Sequence, residues 1–290
     1  MKSIVDIKVW GEYACFTRPE FKVERVSYPV MTPSAARGIL EAIYWKPKIR
    51  YRIQRIGILE LGSQWSLLRN EIASRQNKDS KGMDYALKVL ADPEREIKKA
   101  GKGKTKEETA EDIARKQFIL IDDDRQQRTS LVLKDIAYRI QAWIELRNGE
   151  TNIGKHLDCF RRRAASGQYF HKPYFGCREF PVDFEWLGDK KENDKNIEPN
   201  DDLNISIGTM LFDTAYIKDE KYWKDKNHKE DRLEFWRHEN DKANEAKGYA
   251  KRLFFNAEIK NGWLVEKDSE NLSKSLFDEL IRLEDSNGIS

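Results

Sequence analysis

The stretch from Ser130 to Leu146 reads SLVLKDIAYRIQAWIEL, and its alternation decides the fold. Ile136, Tyr138, Ile140, Ala142, Ile144 and Leu146 fall on one face of a strand, while Arg139, Gln141 and Glu145 fall on the other. Asn148-Gly149 then turns the chain. A helix is expected from about Ile153 to Ser166, stopped by Gly167. Tyr174 to Phe184 is strand-like.

Upstream, Ser3 to Phe16 alternates as a strand through Val5, Ile7 and Val9, and Thr17 to Met31 reads as a loop. Thr32 as N-cap and Pro33 at the first helical position open a helix with Ile39, Ala42 and Ile43 on its apolar face. The helix ends near Tyr44-Trp45-Lys46-Pro47, because proline disfavours helix in the residue before it. Ile49 to Leu61 forms a second strand whose phase flips after Arg55, which predicts a bulge. Residues 65 to 117 read as a charged helical insert with a flexible tip at Gly101 to Lys104. Without the insert the order is βαββαβ. The expected class is therefore α+β, with a ferredoxin-like, RNA-recognition-motif-like domain over residues 1–186. Residues 187–202 are acidic and read as a linker. Residues 203–290 are expected to form a small antiparallel β domain. Its strands run from Leu203 to Ile217 and from Leu253 to Val265. They flank a charged insert, 218–251, read as an inserted helix, and Leu272 to Leu283 forms a terminal helix.

Charge is nearly balanced, with 53 Lys and Arg against 50 Asp and Glu, so the total says little about partners. Its distribution says more. Arg37 to Arg55 holds six basic residues against one acid, and so does Lys155 to Arg178. Two basic segments suit a localised polyanion site, although charge alone fits two solvated faces equally well. Arg37, Lys46, Lys48, Arg161, Arg162, Arg163, Lys172 and Arg178 are the candidate RNA contacts. Three cysteines without zinc spacing suit a reducing compartment, and no signal segment or membrane span is read, so a cytoplasmic location is expected.

No cofactor fingerprint is present, and the four histidines make no metal-binding pattern. Asp122-Asp123-Asp124 reads as a solvated loop, so no metal is expected. Lys155-His156 sits at a helix start ahead of Arg161-Arg162-Arg163. A helix N-terminus attracts phosphate, lysine adds a cation, and histidine moves protons near neutrality. These are parts that metal-free RNA cleavage requires. By spacing alone, an ordinary polar first turn is the stronger reading.

Several blocks, in order, carry a resemblance. They are Glu12-Tyr13-Ala14-Cys15-Phe16-Thr17, Ile43-Tyr44-Trp45-Lys46-Pro47 and Leu133-Lys134-Asp135-Ile136-Ala137-Tyr138. Gly154-Lys155-His156 follows, with Phe160-Arg161-Arg162-Arg163, then Gly176-Cys177-Arg178-Glu179-Phe180 and Gly208-Thr209-Met210. Together they resemble the d-type of the fifth CRISPR-associated (Cas) family, found in type I-C systems. The resemblance implies a metal-independent endoribonuclease that cuts CRISPR repeat RNA 3′ of a stem-loop. It also implies retention of the 5′ handle in an interference complex with subunits of the seventh and eighth Cas families. It places the activity on Tyr44, Lys155 and His156. Two other readings stand beside it: a non-cutting structural subunit holding the same handle, and a general binder of double-stranded nucleic acid, duplex DNA included.

Overall fold

In the computed structural model, the chain is described over residues 4–21, 24–72, 91, 125–147, 149–188, 197–218, 233–239 and 244–285. It divides into two compact units, Met1–Ser66 with Leu131–Ser290, and Leu67–Ser130.

The first unit is organised by the stretch quoted above. Strand β1 (Ile4–Ala14) buries Val5, Ile7 and Val9 completely. It pairs antiparallel with β4 (Arg125–Leu146), from Ile4 opposite Trp143 to Ala14 opposite Leu133. Strand β2 (Ile49–Glu60) lies on the other side of β4, and β5 (Asp183–Trp186) on the other side of β1. The register of β2 slips between Ile53 and Arg55, which moves the buried set from Ile49, Tyr51 and Ile53 to Ile56 and Ile58. The predicted bulge is there.

Two helices cover the Tyr51 face. Helix α1 (Pro33–Ile43) starts where Thr32 Oγ1 accepts the Ala35 N–H at 3.2 Å, and it buries Ala36, Ile39, Leu40, Ala42 and Ile43. Helix α2 (Ile153–Ala165) starts where Asn152 Oδ1 accepts the Lys155 N–H at 3.0 Å. It buries His156, Phe160 and Ala164, four residues apart, and Phe160 packs edge-on to Tyr51. The opposite face carries a polar network. Arg139 and Gln141 both donate to Asp6, and Arg139 also donates to Glu198 at 2.8 Å.

The remaining strands are β3 (Ser63–Ile72), β6 (Ile205–Lys218), β7 (Leu233–Glu239), β8 (Asn244–Lys260) and β9 (Trp263–Glu266). The sheet order is β5-β1-β4-β2-β9-β8-β6, with β3 on β4 and β7 on β8. Helix α3 (Lys274–Asp285) follows, and its Glu284 meets Arg50 at 2.9 Å. The class is α+β, an antiparallel sheet with three helices among the described residues.

Several elements differ from the sequence reading. Residues 63–72 are strand, not the start of a helix: past Gly62, which has φ +70° and lies close against Lys134 O, the chain continues along β4 and pairs with it as β3. Residues 233–239 and 244–251 are also strand rather than inserted helix. The last strand expected from Leu253 to Val265 is two strands, broken at Asn261-Gly262, both of which have positive φ as a two-residue hairpin turn requires. Between Tyr174 and Pro181 only an isolated bridge forms, in a stretch interrupted by Pro173, Gly176 and Pro181. The acidic linker is packed where it is described, with Ile197 buried and Pro199 against Gly57. The flexible tip, Asp122 to Asp124 and most of the expected insert lie outside the described residues.

A candidate active site at the end of helix α1

Tyr44 caps the C-terminus of α1. Its N–H donates to Leu40 O at 3.0 Å, and its carbonyl accepts the Tyr51 hydroxyl at 2.6 Å. These bonds fix the backbone beneath the Tyr44 ring. His156 lies in the first turn of α2, on the helix face that packs inward, while Lys155, one position earlier and about 100° round the helix, is exposed. The Tyr44 hydroxyl and His156 Nδ1 are 2.9 Å apart. Arg163, two turns along α2, donates to Ile43 O at 2.9 Å and stacks over the Tyr44 ring at 5.3 Å. Helix α2 is thus locked onto the end of α1 at two levels.

The pair is closed off: Tyr44 is 4 % exposed and His156 2 %. Burial pushes the Tyr44 phenol above its ordinary value, reinforced by the neighbouring Cys159 thiol. It is therefore a neutral hydroxyl that hydrogen-bonds and not a base at neutral pH. Gly154 is exposed, and a Cβ built on it would meet only Asn152 Oδ1, at 3.6 Å. The α2 N-terminus is uncovered at Gly154.

One further residue joins the site that sequence reasoning missed. Glu150 Oε2 lies 3.6 Å from His156 Nε2 and 3.6 Å from Lys48 Nζ. Its other oxygen accepts the Thr151 and Asn152 N–H groups at 3.1 and 3.2 Å. The Asn152 and Thr151 donors, with Lys48, hold the carboxylate below its usual range. The turn signal just before it in the sequence was the available clue: Gly149 has φ +73° and the Glu150 N–H donates to Arg147 O at 3.1 Å, which delivers Glu150 to the start of α2.

The candidate RNA contacts separate into two groups. Lys46, Lys48, Arg161, Arg162, Lys172 and Arg178 are exposed. Arg37 and Arg163 are used internally. Arg37 makes a two-point pair with Asp213 of β6, at 2.8 and 2.9 Å, and a further bond to Glu41 at 2.8 Å. Arg163 is spent on Ile43 O and the Tyr44 ring. Among the described residues no group of three or more His, Cys, Asp or Glu could hold a metal ion, and no helix is long and apolar enough to cross a membrane.

Known proteins resemble this chain along nearly its whole length. It is 43 % identical over 280 residues to the CRISPR pre-crRNA endoribonuclease Cas5d of Thermus thermophilus, covering 96 % of this chain and 95 % of the relative. It is 38 % identical over 219 residues to the protein of the same name from Mannheimia succiniciproducens, covering 74 % and 87 %. Among solved structures, one described as a CRISPR-associated protein superposes with a TM-score of 0.51 at 16 % identity, covering 93 % of this chain and 95 % of the other, which speaks to the fold alone. The Cas5d family model, described as CRISPR-associated protein (Cas_Cas5), matches residues 4–264, and on that match the chain belongs to the Cas5d family.

Proposed function

We propose that this protein is an endoribonuclease that cuts CRISPR repeat RNA 3′ of a stem-loop, without a metal ion, and keeps the 5′ handle of the product in a type I-C complex. The single observation that carries this reading is the 2.9 Å contact between Tyr44 and His156, beside the exposed Lys155. Two residues 112 positions apart are brought together with a cation at an open helix N-terminus. The names of the relatives support the same activity.

In this chemistry the ribose 2′-oxygen attacks the adjacent phosphorus as its proton is taken up. The bond from phosphorus to the 5′-oxygen breaks, and that oxygen gains a proton. The products are a 2′,3′-cyclic phosphate and a 5′-hydroxyl. His156 is the proton-transfer group, Lys155 offsets charge on the phosphorane, and Tyr44 orients the imidazole.

The strand order β5-β1-β4-β2, with helices after β1 and β4, supports a ferredoxin-like reading of the N-terminal part. The C-terminal strands extend that sheet. Subunits of the seventh and eighth Cas families are the partners this reading assigns. The closure of His156 favours one alternative, a handle-binding subunit in which the histidine only packs. Incubating a labelled cognate repeat with the protein in EDTA tests both. Two fragments, one ending in a cyclic phosphate, support cleavage, whereas binding without fragments supports the alternative.

A further inference from the structure

Phe170 is 79 % exposed, the most of any large apolar side chain among the described residues. It does not sit on a loose tip. The Phe170 and His171 N–H groups both donate to Ala42 O, at 2.9 and 3.2 Å, and the Gln168 N–H donates to Arg163 O at 2.8 Å. The loop is bolted to the last turn of α1, two residues before Tyr44. Trp45, 44 % exposed, leaves the same helix end, and Lys46 and Lys172 adjoin the two aromatics in sequence and are exposed. An exposed ring on a fixed backbone, with lysines adjoining it in sequence, suits a ligand with a flat apolar face and a negative backbone.

We propose that Phe170, held to the same end of α1 that Trp45 leaves, stacks an unpaired nucleobase next to the scissile phosphate. A paired base keeps its faces within the helix, so the nucleotide taken is single-stranded. This inference rests on the function proposed above. The test uses the full chain with a fluorescently labelled repeat RNA and the variants Phe170→Ala, Phe170→Leu and Phe170→Trp. Stacking predicts binding weakened about 5- to 150-fold by Ala. Leu should bind nearly as poorly, and Trp should bind as the parent does. Unaltered binding in Phe170→Ala, or full binding by Phe170→Leu, overturns the platform. If Phe170→Ala instead loses a protein subunit of the complex while binding RNA normally, the surface is a protein interface and the proposal fails. An unaltered protein that binds RNA without cutting it overturns the proposed function, while the binding comparison still judges the platform.

A separate observation concerns His156 Nε2. This nitrogen is buried and makes no hydrogen bond, and the Glu150 carboxylate faces it at 3.6 Å. A carboxylate on that side favours a proton on Nε2 and leaves Nδ1 bare, as an acceptor for the Tyr44 hydroxyl. We infer that Glu150 is a positioning residue that fixes the His156 tautomer. Nitrogen NMR of ¹⁵N-histidine-labelled protein at pH 8 tests this directly, with His156 assigned by loss of its signals in His156→Ala. The expected result is an Nε2–H ring in the parent protein and a mixture in Glu150→Gln. That variant should lower the single-turnover cleavage rate with RNA affinity and melting temperature unchanged, and Glu150→Asp should restore part of the rate. An Nδ1–H ring in the parent, or an unchanged tautomer in Glu150→Gln, overturns the assignment whether or not the protein cuts RNA.

Discussion

The Tyr44 hydroxyl and His156 Nδ1 lie 2.9 Å apart, joining the end of α1 to the first turn of α2 inside the protein. Tyr44→Phe removes one partner and leaves a buried ring nitrogen unsatisfied, at a cost of about 1–3 kcal/mol. Thermal or urea unfolding reads that loss. His156→Ala should slow single-turnover cleavage about 10²- to 10⁴-fold, in EDTA as without it. Full cleavage by His156→Ala would count against a catalytic imidazole.

Lys155 is exposed, and its backbone N–H, not its side chain, completes the Asn152 cap. Lys155→Ala should therefore leave stability within about 0.5 kcal/mol of the parent. Cleavage should fall about 10²- to 10³-fold, because the phosphorane loses its cation. Lys155→Arg should recover part of the rate. An Ala variant that cuts at the parental rate removes Lys155 from the mechanism.

Arg37 was a candidate RNA contact by sequence, but its guanidinium is spent on Asp213 and Glu41. Arg37→Ala leaves the buried Asp213 carboxylate without that pair and should cost about 3 kcal/mol in unfolding experiments. Under conditions where the variant stays folded, repeat RNA should bind with its usual affinity and salt dependence. A shallower salt slope would return Arg37 to the RNA surface.

Cys177 accepts a hydrogen bond from Arg25 Nη1 at 3.0 Å. A hydrogen bond with Cys15, together with the Arg25 charge, draws the Cys177 thiol down to about 6, while Cys15 is pushed up. A depressed acid stabilises the fold above its unfolded value, here the ordinary thiol value of 9.0, and loses that contribution as pH falls through 6. Stability should therefore rise between pH 6 and 9, and Cys177→Ser should flatten that rise. Parallel thermal melts across this range decide the matter. An equal rise in both proteins would show that it comes from other groups.

The central strands and both site helices were legible because their signals are local. Alternation along Ile136 to Leu146, the Thr32-Pro33 start of α1 and the bulge after Arg55 each need only neighbouring residues to be read. Strand β3 was not legible: Trp65, Leu68 and Ile72 recur at helical spacing, and what makes the segment a strand is its pairing with β4, which begins only at Arg125, far downstream in the chain. The site divides the same way. Tyr44, Lys155 and His156 came from ordered motifs; Tyr44 and His156 meet at the end of α1, and Lys155 adjoins His156 in the chain. Glu150 belongs to no motif and enters through a turn. Arg37 looked basic and free because its partner Asp213 lies 176 residues downstream.

The narrow join between β2 and β9 has a mechanical consequence. There, the register holds two pairs, Ile56 with Leu264 and Gly57 with Trp263, and one more bond from the Ile58 N–H to Gly262 O at 2.8 Å, whereas β1 and β4 pair along the whole of β1. Under a pulling force this seam is where the sheet would tear first. The Arg37–Asp213 pair, running from α1 to β6 on the far side of that seam, acts as a clasp across it. The helix that carries Tyr44 at one end thus holds the seam closed near its other.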